Sequence, residues 1–149
     1  MKETIYTIPV NEAFDSGDEC PVCQRRRGVE QRTIRYVLGP SASYMEPDVR
    51  GQTDKYGFCR EHFKKMYDYG NALGNALVMQ TYMAGLIEEF RTEHENFQAP
   101  PKKSLFGKKK QTQEEEPYWK RVQDKVNSCY ICDKVNYNME RYLLTFFVL

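Results

Sequence analysis

Five cysteines and two histidines carry most of the chemistry available to this chain. Four cysteines come as Cys-x-x-Cys pairs, Cys20 with Cys23 in CPVC and Cys129 with Cys132 in CYIC, while Cys59 stands three residues ahead of His62 in CREH. Thiolate and imidazole donors in two-residue-spaced pairs are the units from which tetrahedral zinc sites are assembled. Taken in chain order, Cys20, Cys23, Cys59 and His62 form a complete Cys3His set with 35 residues between its halves. Cys20 and Cys59 each open a helical pattern, where free backbone N–H groups favour thiolates and i, i+3 spacing points both donors to one side. The gap is no obstacle: lengthening a closed loop from about 15 to 35 residues adds about 0.8 kcal/mol of closure entropy. A structural zinc ion contributes on the order of 10 kcal/mol. Zinc is therefore the expected cofactor. Arg25, Arg26, Arg27 and Arg60 lie beside these ligands in sequence and either offset the net −1 of such a site or form a solvated face.

CPVC also has the spacing of a redox dithiol, without the alternating strands and helices that frame such motifs, and Gln24 stands where haem attachment needs histidine. Cys129 and Cys132 have no cysteine or histidine after them, and His94 reads as an exposed helix-end residue. They read as the first half of a second, incomplete site whose Cys-x-x-His lies beyond residue 149. The apolar end YLLTFFVL fits a chain cut inside a helix, and makes a homodimer through the C-terminal helix an expected partner. With one of two histidines a ligand, no spare general base of the usual kind and no nucleophile elbow remain, so no enzyme activity is expected.

The elements that must position these residues read as all-α. A short extended segment ends at Pro9, and a helical turn follows over 10–17. A helix spans 21–38, with Val22, Val29, Thr33 and Val37 on one face and Gly39-Pro40 as its stop. Residues 40–57 form a connector with a turn of helix after Pro47. Glu46, Asp48 and Arg50 there suit either a helix N-terminus or a polar cluster holding His62 in its ligating tautomer. From 59 to 97 the stripe Phe63, Met66, Leu73, Leu77, Ala84, Ile87 and Phe90 predicts a long helix that bends at Gly70 or Gly74, unless those glycines admit another helix. Residues 98–116 have the composition of a solvated linker, and helices follow from Pro117 to the end. The expected organisation is a zinc-binding helical domain at 1–97, a charged linker at 98–116 and the start of a truncated second unit at 117–149.

Hydrophobic residues at 40% and charged residues at 29% suit a globular chain, and a net charge of +1 gives no bulk attraction for nucleic acid. Tyr67, Tyr69 and Tyr82 have the faces to stack bases but no basic groove, and read as core-edge residues. The longest apolar run has eight residues against the roughly 20 of a membrane helix. With no secretory signal, five cysteines point to a reducing cytoplasm and no membrane association.

The strings TIPVNEAF, CPVC, SYMEPDVRGQTDKYGFCREHF and CYIC together resemble a domain-of-unknown-function family found largely in anaerobic Gram-positive bacteria. The resemblance implies a helical protein with paired Cys-x-x-Cys and Cys-x-x-His sets and brings no activity with it. The expected function is a zinc-stabilised helical module that binds a protein or nucleic acid. The alternative is a thiol-based metal- or redox-responsive regulatory protein.

Overall fold

A computed structural model describes residues 7–95 and 118–148, which form seven α-helices and one 3-10 turn with no strand among them. The all-α expectation holds. Helix α1 runs Ile8–Asp15, α2 Pro21–Leu38, α3 Pro47–Tyr56, α4 Arg60–Asp68, α5 Ala72–Glu95, α6 Tyr118–Asn127 and α7 Tyr130–Val148. Proline stands in the first turn of α1, α2 and α3. There its fixed φ suits the helix and its missing N–H costs nothing. Pro9 therefore begins a helix, where an extended segment was expected to end. The expected turn after Pro47 is a full ten-residue helix, with Glu46 as its N-cap and Asp48 in its first turn. The linker expected at 98–116 lies outside the described residues.

The long helix predicted from residue 59 is two helices. Gly70, at φ +90, lies between α4 and α5, a conformation in which a side chain is strained. Gly74 serves the other expected purpose, close approach: a Cβ there would stand 2.9 Å from the Tyr44 ring. The break changes which residues reach the core. Met66 and Val78 are fully buried, while Leu73 and Ile87 are exposed.

One core joins both ends of the chain. Val29, Ile34, Val37 and Leu38 of α2 pack with Met66, Val78, Cys129, Tyr130, Ile131 and Val135. Helix α7 lies along α2, α1 contacts both, and α3 packs against α5. Residues 129–142 thus share the core of residues 7–95, where the start of a separate unit was expected. Arg25 binds α2 to α7 as well: it is buried, donates to the Tyr142 hydroxyl and lies 4.1 Å from the ring centroid.

The junction of α6 and α7 docks on the open C-terminal end of α3. Lys125 Nζ donates to the Lys55 carbonyl at 3.0 Å, Ser128 Oγ to the Tyr56 carbonyl at 2.6 Å, and the Tyr130 N–H to the Gly57 carbonyl at 2.9 Å. Carbonyls left unpaired at a helix end are satisfied from a segment 70 or more residues away. Gly57 makes this possible: at φ +61 it turns the chain, and a Cβ there would meet the Tyr82 ring at 2.4 Å. Gly57→Ala is expected to destabilise by well over the ~1 kcal/mol of the left-handed backbone alone, and Ile131→Ala by about 2–5 kcal/mol, both read by urea denaturation. A loss under 1 kcal/mol for Ile131→Ala would mean that α7 does not belong to the core.

Candidate metal centre

Two helix N-termini converge, each bringing a donor pair. Cys59 is the N-cap of α4 and His62 lies in its first turn; Cys129 immediately precedes α7 and Cys132 lies in its first turn. The donor atoms of Cys59, His62, Cys129 and Cys132 all lie within 4.8 Å of one another and could hold a metal ion. His62 Nδ1 stands 3.2 Å from Cys59 Sγ and 3.3 Å from each of Cys129 Sγ and Cys132 Sγ, and Cys59 Sγ is 4.0 Å from Cys132 Sγ. The imidazole is 6% exposed and Cys129 4%, so the centre is closed to bulk solvent on those sides.

This corrects the expected ligand set. Cys59 and His62 do combine with a Cys-x-x-Cys pair at another helix start, but the pair is Cys129 and Cys132, not Cys20 and Cys23. The physical reason is the docking of the α6–α7 junction on Tyr56 and Gly57, which sets Cys129 beside Cys59. Cys129 and Cys132 therefore have their Cys-x-x-His within the chain, where it was expected beyond residue 149. Cys20 and Cys23 sit at the start of α2, the first partly exposed and the second exposed, outside the four-residue cluster. His94 is exposed near the end of α5, as expected.

The second nitrogen of His62 is also engaged. Nε2 lies 2.7 Å from Glu30 Oε1 on α2, and the same oxygen accepts from Lys65 Nζ at 2.8 Å. Lys65 in turn reaches Glu61 at 2.7 Å. An imidazole whose outer N–H is held by a carboxylate has its tautomer and orientation set for metal binding through the other nitrogen. Burial pushes the Glu30 carboxyl up, but hydrogen bonds from Lys65 and His62 outweigh it and hold it below the ordinary range. The polar support thus comes from Glu30; Glu46 and Asp48 belong to the α3 N-terminus, and Arg50 donates to the Tyr44 carbonyl. Two of the four arginines are engaged elsewhere. Arg25 faces Tyr142 and Arg27 pairs with Asp18 at 3.0 Å, while the cation at the centre is Lys65.

Glu30 carried a signal in the sequence. It precedes Ile34 by four residues and Val37 by seven, which places an acid within the buried stripe of α2. A carboxylate there needs a partner.

Without metal, His62, Cys129 and Cys132 share protons unequally. The hydrogen bond to Cys129 outweighs the burial that opposes it and, with Glu30, lifts the His62 imidazole to about 9. Burial would raise Cys129, but the hydrogen bond to His62 and the backbone N–H groups of Cys132 and Cys59 bring it down to about 6. Burial and the neighbouring Cys129 push Cys132 up to about 12. At neutral pH the metal-free centre therefore holds a thiolate–imidazolium pair beside a protonated Cys132.

A model of a family of unknown function, DUF6062, matches residues 1–149. The chain belongs to this family. No curated protein and no solved structure matches it. For this DUF6062 chain, no helix among the described residues is long and apolar enough to cross a membrane.

Metal must displace the protons on His62 and Cys132, which stay on up to about 9 and about 12. Apparent affinity for a divalent ion should therefore rise about 100-fold or more per pH unit near neutrality, with proton release visible as a buffer-dependent heat of binding. Glu30→Gln keeps the shape but loses the carboxylate, and should weaken binding about 10–100-fold. Unchanged affinity would show that Glu30 does not orient His62.

Proposed function

We propose that this chain is a zinc-stabilised helical interaction module in which the metal is structural. The observation that carries the reading is the closed donor set: three thiols and one imidazole, drawn from two helix starts, with the outer imidazole nitrogen held by Glu30. Zinc–sulfur and zinc–nitrogen bonds of roughly 2.3 and 2.0 Å at tetrahedral angles require ligand–ligand edges of about 3.5–3.8 Å. Four of the six donor–donor separations run from 3.2 to 4.0 Å and all six stay within 4.8 Å, close to that size, and a thiolate-rich set of four favours zinc over hard cations. Four protein ligands leave no open position for water or substrate, so the ion serves as a cross-link, and no enzyme activity is proposed. Bound there, it would join α4 to α7 across the 67 residues that separate His62 from Cys129.

A protein partner is favoured over nucleic acid. Leu144 and Phe147 near the end of α7 are 62% and 78% exposed, and Leu143 and Phe146 are partly so, while the net charge is only +1. That face suits a second copy of the chain or another apolar helix.

Anaerobically purified protein should contain one equivalent of zinc. Cys59→Ser, Cys129→Ser and Cys132→Ser should each lose most of it, while Cys20→Ser and Cys23→Ser retain it. Removing the ion with a chelator should lower helicity and the unfolding midpoint, because the centre links elements distant in the chain. Full helicity and an unchanged midpoint in metal-free protein would overturn the structural role. Sedimentation at rising concentration should show self-association that Phe147→Glu weakens. Salt-sensitive binding to mixed RNA and DNA would instead favour the nucleic-acid reading.

A further inference from the structure

Cys20 and Cys23 form a dithiol that the metal centre does not use. Cys20 is the N-cap of the 18-residue α2 and its Sγ accepts from the Cys23 N–H at 3.2 Å. Cys20 is partly exposed and Cys23 exposed. Among the described residues no histidine, cysteine, aspartate or glutamate joins them as the third member of a metal-binding group. Residues three apart at a helix start have Cα atoms about 5 Å apart, within the span that a disulfide bridges without backbone movement.

We propose that Cys20 and Cys23 are a thiol–disulfide exchange site for accessible disulfides, with Cys20 as the attacking sulfur and Cys23 as the resolving one. The asymmetry is built into the turn. Hydrogen bonding from the Cys23 side chain and then its N–H, with Val22 N–H and Arg27 adding to it, draws the Cys20 thiol below its ordinary range. The same pairing, with Cys20 as neighbour, pushes Cys23 up. Pro21 leaves no N–H of its own in the first turn and fixes the chain between the two sulfurs.

In the exchange the Cys20 thiolate attacks one sulfur of a disulfide RSSR. A Cys20–SR bond forms, the RS–SR bond breaks, and RS⁻ leaves to take a proton from solvent. Cys23, after losing its proton to solvent, attacks Cys20 Sγ, forming the Cys20–Cys23 bond and expelling the second RS⁻. Two protein thiols are oxidised and one RSSR is reduced to two RSH, so the disulfide itself is the only oxidant required. The three sulfurs of the metal centre take no part.

The test uses the full-length, metal-containing protein in mixtures of oxidised and reduced glutathione, quenched with a thiol alkylator and read by peptide mass spectrometry. The peptide holding residues 20 and 23 is expected to lose two hydrogens with rising oxidised glutathione, while bound metal stays constant. Cys23→Ser should accumulate a glutathione adduct on Cys20, and Cys20→Ser should react about 10-fold more slowly at Cys23. Helicity of both variants is checked first; their exposed positions predict no change. The proposal is overturned if the two sulfurs remain thiols or end as separate adducts, or if Cys20→Ser reacts as fast as the unmodified chain. Loss of metal from either variant would return the pair to a ligand role and overturn it equally. Zinc content is measured independently, so failure of the exchange site leaves the structural-metal reading standing.

Discussion

The imidazole of His62 is where the main elements meet. On one side its Nδ1 faces the sulfurs of Cys59, Cys129 and Cys132; on the other its Nε2 meets Glu30. These contacts tie α4 to the start of α7 and to the middle of α2, so one buried ring fixes three helices whose sequence positions span most of the chain. A polar ring so enclosed is tolerated because both nitrogens have partners. The apolar core gathers beside this centre: Ile131, between Cys129 and Cys132, is fully buried, as are Val37 and Leu38 at the end of α2.

The docking of Ser128 and Tyr130 onto the carbonyls of Tyr56 and Gly57 works with that ring. It supplies the end of α3 with donors and sets the second donor pair against the first. A backbone match of this kind determines position to within a hydrogen-bond length, which loop entropy cannot do. The chain thereby gains a centre that could hold a metal through its own residues, and leaves the N-terminal dithiol at the surface. Two Cys-x-x-Cys motifs of equal spacing thus have unlike environments: one against a buried histidine, the other at an exposed helix start beside Arg27.

Much of the fold was legible in local signals. The span of α2 followed from Pro21 and Gly39-Pro40, and the helical character of residues 60–95 from its apolar periodicity. The break at Gly70 was legible as a bend. What failed was the assumption that a helical stripe is a buried stripe. Once α4 and α5 separate, Leu73 and Ile87 face outward while Val78, off the stripe, faces in. Glu30 drew no reading from the sequence, although its register with Ile34 and Val37 placed it inward.

The sequence by itself determined the chemistry on offer: three two-residue-spaced donor pairs, each at a helix start, in an all-α chain. It also determined that Cys59 and His62 act as a unit, because residues three apart at a helix start share a face. Which Cys-x-x-Cys pair they meet was decided only by the tertiary structure. The separations from Cys59 of 36 residues to Cys23 and 70 to Cys129 differ by about 0.6 kcal/mol in closure entropy, too little to choose between them. The choice came from long-range terms absent from any local pattern: burial of Ile131 and Tyr130 against α2, and the hydrogen bonds of the α7 start to the end of α3.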